Sequence, residues 1–215
     1  MSLTFYCGSG SPYAWRVWLA LEHKGLDYDL KMMSFSEGDL KTPEYAAINP
    51  RRKVPAVVDD GFSLYESTAI LEYLEDRYPK PGASLFPGDA QGRALVRRMV
   101  QEADQYFAAP MERIVDQVLF TPQEKWNSER IARARTALAA ELERWETSLR
   151  GDWLAGGELS AADFTLYPLI ALTRRMQRRK PDLDVEAMLG PRLRVWMSRV
   201  EALPYFRKTW PPHWK

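Results

Sequence analysis

A segment rich in proline and glycine divides the sequence into two parts with different hydrophobic patterns. Its turn-forming residues are Pro79, Pro81, Gly82, Pro87 and Gly88, a density that is typical of a linker. Strand-like alternation and helix-like spacing are mixed before the segment, whereas the pattern after it is helical throughout. The sequence therefore predicts an α/β domain at residues 1–82, a linker at 83–88 and an all-helical domain at 89–215.

The first domain is predicted to begin as strand, loop and helix. Residues 3–7 alternate between two faces, which is the period of a half-buried strand. A loop with two glycines follows at residues 8–11, and Pro12 suits the first position of a helix. That helix is predicted to end at Lys24, because Gly25 has the backbone freedom that a C-terminal cap needs.

The rest of this domain is predicted to complete a mixed sheet of four strands. Residues 28–32 alternate as a second strand, and a short helix has room to open near Pro43. Residues 56–65 predict a β-hairpin, because the turn Asp59-Asp60-Gly61 readily supplies positive φ. A helix from about Ser67 to Tyr78 is expected to follow.

Charge and cysteine content exclude several classes of partner. Thirty lysines and arginines face 29 aspartates and glutamates, so no global field attracts nucleic acid or an anionic membrane. No apolar run approaches the roughly 18 residues that span a bilayer, and the N-terminus lacks the pattern of a signal peptide. The single cysteine and two histidines argue against a disulfide and a structural zinc site. We expect a cytoplasmic protein with neither a nucleic acid nor a membrane as partner.

Three features of the first domain suit the binding of a small peptide. Ser11 places a hydroxyl at a helix N-terminus, where backbone N–H groups and the helix dipole favour an anion. Val54-Pro55 predicts a cis peptide bond that leaves the Val54 backbone free to pair with an extended peptide. Glu66 can hold an amine, and Ser67 can hold a carboxylate. Taken singly, these residues would be a helix cap, a turn proline and a capping pair, but their order along the chain favours a site.

Over its whole length the chain resembles the cytosolic glutathione transferases. The resemblance lies in Ser11-Pro12-Tyr13-Ala14, which stands where thioredoxin-like domains have Cys-Pro-x-Cys, and in residues 49–55, 66–70 and 159–163. It implies a thioredoxin-like first domain and glutathione as co-substrate. Residues 11–17 are most similar to the serine-type theta and zeta classes. Ser11-Pro12-Tyr13 replaces the Ser-Ser-Cys of the zeta class, which disfavours a maleylacetoacetate isomerase.

The resemblance also implies roles for particular residues. Ser11 would donate a hydrogen bond to the glutathione sulfur, and Asp104 would approach the γ-glutamyl amine across the interface of a homodimer. The alternative for Asp104 is a solvated helix residue. The remaining glutathione contacts would be Glu66 and Ser67 at the γ-glutamyl end, Val54 and Pro55 at the cysteinyl backbone, and Lys41 and Lys53 at the glycyl carboxylate.

Three neighbours of Ser11 are rival candidates for the catalytic group. Tyr6 lies near the position of the catalytic hydroxyl in the tyrosine-type classes, and Ser9 belongs to the same loop as Ser11. Cys7 resembles the cysteine of the beta class, but strand alternation places it toward the core, where cysteine is a common packing residue.

The expected acceptor pocket would hold a small hydrophobic electrophile. The candidates for its lining are Tyr13, Tyr106, Phe107, Met111 and Trp210, although most aromatic residues at helical spacing are ordinary core. The sequence thus predicts a glutathione transferase that activates the thiol of glutathione. The alternatives are a glutathione-dependent isomerase or reductase, and a non-catalytic module of the same fold.

Overall fold

The structure is a computed structural model that describes residues 2–80 and 83–214. The described residues form two compact units, of which the first comprises Met1–Phe86 with Leu203–Lys215 and the second comprises Pro87–Ala202. The boundary between Phe86 and Pro87 falls within the predicted linker at 83–88. The second unit ends at Ala202, whereas the predicted helical domain continues to residue 215. Residues 203–214 pack with the first unit instead. Pro81 and Gly82 lie outside the described residues.

The first unit contains a mixed sheet of four strands, as predicted. The strands are β1 (Leu3–Gly8), β2 (Asp29–Met33), β3 (Ala56–Asp59) and β4 (Phe62–Tyr65). Their order is β2-β1-β3-β4, with β1 and β2 parallel and the other pairs antiparallel. The alternation of β1 buries Leu3, Phe5 and Cys7, while Thr4 and Tyr6 are half-buried.

Three helices of this unit follow the predicted signals. Helix α1 (Pro12–Lys24) begins with proline at its first position and ends at Gly25, whose φ of 60° is left-handed. Helix α2 (Pro43–Ile48) also opens on a proline. Helix α3 (Ser67–Arg77) ends one residue before the predicted Tyr78, whose hydroxyl donates a 2.6 Å hydrogen bond to Asp59.

The second unit is helical. Its helices are α4 (Ala90–Glu102), α5 (Ala108–Phe120), α6 (Ser128–Ser148), α7 (Ala161–Gln177), α8 (Val185–Met188) and α9 (Pro191–Glu201). A π-helical segment, Ala103–Phe107, joins α4 to α5, and the sequence pattern did not indicate it. None of the described helices of the chain has the length and apolar character of a membrane span.

Helix α7 is the buried centre of this unit, as its apolar composition predicted. The predicted capping box is present: the carboxylate of Asp163 accepts hydrogen bonds from the N–H and hydroxyl of Ser160, at 2.9 and 3.0 Å. The indole of Trp196 in α9 donates to the same carboxylate at 2.8 Å. One buried side chain therefore fixes both the start of α7 and its contact with α9.

The last described residues, 203–214, are called the C-terminal segment below. They contain a short helix α10 (Phe206–Thr209) and a 3₁₀ turn, Pro212–Trp214. Three polar contacts join the segment to α1: Trp15 Nε1 to Thr209 Oγ1 at 2.9 Å, His23 Nδ1 to Tyr205 Oη at 2.9 Å, and Glu22 Oε1 to Lys208 Nζ at 2.7 Å.

Candidate functional site

The register of the sheet brings the three predicted features to one end of the first unit. Tyr6 in β1 pairs with Ala56 in β3, and Ala56 pairs in turn with Tyr65 in β4. The turn after β1, the Val54-Pro55 peptide before β3 and the Glu66-Ser67 pair after β4 therefore leave the sheet at the same end. Residues that are far apart in the sequence form one candidate site.

A tight turn after β1 places Ser11. The N–H of Ser11 donates a 3.0 Å hydrogen bond to the carbonyl of Gly8. The third residue of this turn, Gly10, has a φ of 81°, a conformation that glycine adopts without steric cost. The turn delivers Ser11 to the N-cap of α1 in an extended conformation.

The hydroxyl of Ser11 caps helix α1 with its oxygen and still has its O–H available to donate a hydrogen bond. Its oxygen accepts a 3.2 Å hydrogen bond from the N–H of Ala14, which is the usual bond of an N-cap. A serine hydroxyl also carries one O–H donor, and Ser11 is half-buried, so part of the side chain faces solvent. Capping the helix and donating to a bound sulfur are thus compatible functions of one side chain.

The three rivals of Ser11 lie in different surroundings. Ser9 Oγ is 2.7 Å from Nδ1 of His213. The ring of Tyr6 packs against Tyr45 of α2, with 5.6 Å between ring centroids. Cys7 is 2% exposed, and its burial raises the pKa of the thiol to about 12. The Cys7 thiol is therefore protonated at neutral pH, which disfavours it as a nucleophile.

The Val54-Pro55 peptide bond is cis, which confirms the prediction. The preceding carbonyl, that of Lys53, accepts hydrogen bonds of 2.7 Å from the hydroxyl of Tyr45 and from the side-chain amide of Asn49. Within residues 2–80 and 83–214, no hydrogen bond involves the N–H or C=O of Val54. The Val54 backbone is thus able to pair with an extended peptide.

Glu66 has an unusual backbone conformation at the start of α3. Its φ is 70° and its ψ is 109°, a sparsely populated region that costs about 1–3 kcal/mol for a residue with a Cβ. Such residues are concentrated at binding and catalytic sites. Glu66 is exposed, whereas Ser67, the first residue of α3, is only 8% exposed. The strained backbone presents Glu66 to solvent directly beside a helix N-terminus.

The other candidates of the first unit are Lys41, Lys53, Tyr13 and, on the C-terminal segment, Trp210. Lys53 and Lys41 are both exposed. Tyr13 is half-buried in α1, and the guanidinium carbon of Arg16 lies 5.1 Å from the centre of its ring. Trp210 is 37% exposed. The roles of these four candidates remain predictions.

The candidates of the second unit divide into exposed and buried residues. Asp104 is half-buried in the π-helical segment, and Tyr106 is 58% exposed. Phe107 and Met111 are at most 1% exposed and pack in the helical core. Their assignment to an acceptor pocket also remains a prediction.

His213 was not among the site residues that the sequence predicted. The two residues of the Ser9–His213 hydrogen bond are 204 positions apart, and no local pattern reports such a contact. The dense aromatic and proline content of residues 210–214 was the available signal, because it is unusual for a solvated segment.

Comparisons with known proteins point to one family. The family profile "Glutathione S-transferase, N-terminal domain" matches residues 10–77, and "Glutathione S-transferase, C-terminal domain" matches residues 128–199. "Glutathione S-transferase A" of Pleuronectes platessa is 30% identical, over 99% of this chain and 92% of the relative. "Maleylacetoacetate isomerase" of Mus musculus is 34% identical, over 78% of this chain and 76% of the relative.

A solved structure gives the same result. The theta class glutathione S-transferase from the citrus canker pathogen Xanthomonas axonopodis pv. citri, solved with glutathione bound, is 27% identical and has a TM-score of 0.82. The similarity covers 97% of this chain and 96% of that one. Fold and sequence similarity coincide, and the chain belongs to the glutathione S-transferase family.

Proposed function

We propose that this protein is a glutathione transferase in which Ser11 activates the glutathione thiol for attack on a small hydrophobic electrophile. The observation that carries the proposal is the convergence of Ser11, Val54 and the Glu66-Ser67 pair at one end of the sheet. A hydroxyl donor, an unpaired peptide backbone and a carboxylate beside a helix N-terminus match the thiol, the cysteinyl backbone and the γ-glutamyl end of the tripeptide.

The energetics require only a small change in thiol acidity. An unperturbed thiol has a pKa of about 8.5, and lowering it by two units requires roughly 2.7 kcal/mol. A hydrogen bond to a charged group contributes about 1.5–3 kcal/mol, and a helix N-terminus adds about 0.3–1 kcal/mol. The Ser11 hydroxyl and the N-terminus of α1 together are sufficient, so the mechanism needs no general base.

Glutathione is held in this proposal mainly by groups remote from its sulfur. Val54 pairs with the cysteinyl backbone, Glu66 binds the γ-glutamyl ammonium, and Ser67 with the first turn of α3 binds the α-carboxylate. The Xanthomonas relative was solved with glutathione bound, which supports glutathione as the ligand. Lys53 and Lys41 extend these contacts to the glycyl carboxylate.

Isomerisation is the second candidate function. It is favoured by the similarity to the mouse maleylacetoacetate isomerase, and it would use the same activated thiol. Ser11-Pro12-Tyr13 differs from the zeta-class triplet, so we rank conjugation first.

Calorimetry with glutathione, followed by rate measurements with aromatic electrophiles and with maleylacetoacetate, tests the proposal. We expect Glu66→Ala to weaken glutathione binding by about tenfold, the equivalent of 1.4 kcal/mol. Glu129→Ala is the control, because Glu129 is an exposed residue of the second unit that pairs with Arg133. Absence of glutathione binding by the native protein would overturn the proposal. Binding without turnover of any substrate would instead identify a non-catalytic module.

The proposal includes a cytoplasmic homodimer. The two-fold assembly is expected from the family resemblance, which matches Asp104 to a position from which a partner subunit approaches the γ-glutamyl amine. Sedimentation at micromolar concentration tests the assembly. A stable species near the monomer mass of 24.8 kDa would exclude the homodimer.

A further inference from the structure

The hydrogen bond between Ser9 and His213 lies beside the proposed catalytic hydroxyl and has no function in the mechanism above. Ser9 is the second residue of the turn that leads to Ser11, and its Oγ is 2.7 Å from Nδ1 of His213. We propose that His213 is a positioning residue for thiol activation, which acts through Ser9 on the turn that carries Ser11. This inference rests on the proposed function, because it assumes that Ser11 activates glutathione.

The turn and the C-terminal segment pack directly against each other. A Cβ atom added at Gly10 would lie 2.9 Å from Cε1 of His213 and 3.0 Å from Nε1 of Trp214. Glycine at this position therefore satisfies two requirements, the positive φ of the turn and the close approach of the segment. The hydrogen bond between Ser9 and His213 is exposed and lies beside this close approach.

The residue after His213 is fixed on the helix that Ser11 caps. Trp214 is 5% exposed, and its ring meets Trp15 of α1 edge-on, with 5.4 Å between centroids. Trp210 packs edge-on against the same indole at 5.5 Å. The C-terminal segment thus contacts α1 through Trp210 and Trp214. It contacts the turn at residues 8–11 through His213.

This geometry affects the reaction because the Ser11 hydroxyl must point at the sulfur. Catalytic groups need placement within about 0.5 Å, which depends on neighbours that lock their conformation. The turn contains two glycines, so its own side chains restrict it little. The bond from Ser9 to His213 removes part of this freedom and increases the fraction of molecules in which the Ser11 donor is correctly directed.

Four single variants and one double variant distinguish a positioning role of His213 from simple packing. Ser9→Ala and His213→Ala each remove one partner, and the double variant measures whether the two act as one unit. His213→Asn is the conservative variant, because the amide atoms of asparagine are as many bonds from the backbone as Nδ1 of histidine. Lys208→Gln is the control, since it removes the contact of the C-terminal segment with Glu22 and leaves Ser9 and His213 in place.

The measurements are the glutathione dissociation constant, the pKa of bound glutathione from thiolate absorbance, and kcat. Each single alanine variant should raise that pKa and lower kcat by about two- to tenfold, the range of one ordinary hydrogen bond, with unchanged glutathione affinity. The double variant should equal the single ones, His213→Asn should recover most of the loss, and Lys208→Gln should match the native protein. Ser9→Ala keeps the test valid if His213→Ala does not fold.

The inference is wrong if both alanine variants keep the native pKa and kcat, if their effects add, or if Lys208→Gln shows the same loss. Its failure is distinguishable from that of the proposed function. If Ser11→Ala abolishes thiol activation while Ser9→Ala and His213→Ala do not change it, the transferase mechanism stands and only the role of His213 is rejected. If Ser11→Ala has no effect either, the proposed mechanism fails first.

Discussion

The indole N–H of Trp15 donates a 2.9 Å hydrogen bond to the hydroxyl of Thr209, which lies 194 residues further along the chain. Both side chains are at most 2% exposed. The Thr209 hydroxyl donates in turn to the carbonyl of Phe206 at 2.9 Å. The C-terminal segment therefore meets α1 through a buried polar contact as well as through aromatic packing, and the two reinforce each other because buried donors need acceptors.

Thr209→Val removes this acceptor while keeping the volume of the side chain. Loss of a partner for a buried donor costs about 1–3 kcal/mol, so we expect the free energy of unfolding in urea to fall by that amount. Thr209→Ser keeps the hydroxyl and should lose less. Equal stability of the valine and serine variants would show that the hydrogen bond contributes nothing.

Ser11→Ala should separate thiol activation from glutathione binding. Glutathione affinity should change little, because the remaining contacts lie far from the sulfur. The pKa of bound glutathione should rise by about one to two units, equivalent to roughly 1.4–2.7 kcal/mol, and the conjugation rate at neutral pH should fall by about ten- to a hundredfold. Titration of thiolate absorbance and separate calorimetry measure both quantities. If Ser11→Ala is without effect and Tyr6→Phe or Ser9→Ala abolishes activity, a different hydroxyl is catalytic.

Cys7 should be unreactive in the native protein. Burial raises the pKa of its thiol from 9.0 to about 12, and only the thiolate is nucleophilic. Three units correspond to about a thousandfold lower thiolate fraction at neutral pH. An alkylating reagent at pH 7.5 should label the protein slowly, and urea should accelerate the labelling strongly. Rapid stoichiometric labelling of the native protein would restore Cys7 as a candidate nucleophile.

His23 should make the protein sensitive to mild acid. Burial is the main cause that lowers its pKa from 6.5 to about 4, and the positive charge of Lys24 adds to it. Above pH 6.5 the histidine is neutral in both states and contributes nothing. As the pH falls from 6.5 to 4, the unfolded chain binds the proton first, so stability should decrease by up to about 3 kcal/mol and then level off.

Urea unfolding at intervals between pH 7 and pH 4 measures this decrease. A His23→Gln variant, which cannot titrate, should lose less stability over the same range, although other groups also titrate there. Parallel pH profiles for the native protein and the variant would refute the assignment to His23.

Local patterns predicted most of the first unit correctly. Pro12 and Gly25 marked both ends of α1, and Asp60-Gly61 marked the hairpin between β3 and β4. In each case the residues at the boundary determine the conformation themselves, through a fixed φ or an accessible positive φ. The ends of these elements can therefore be predicted without knowledge of the fold.

The sequence could not predict contacts that depend on packing between distant segments. Nothing around Ser9 indicates a histidine partner, and nothing around Trp15 indicates Thr209. The positive φ of Glu66 is likewise invisible, because the surrounding structure, and not a glycine, imposes it. The resemblance to a known family named Glu66 as a site residue, whereas the strained geometry became apparent only in the structure.

The position of the C-terminal segment has a consequence for the order of events during synthesis. On the ribosome, the residues before Leu203 are made before the segment that contains Thr209 and Trp214. Until then Trp15, which is 2% exposed in the finished protein, lacks its contacts with Thr209, Trp210 and Trp214. Domains usually fold as units, the N-terminal one first. In this chain the first unit therefore needs residues that are made after the whole of the second unit.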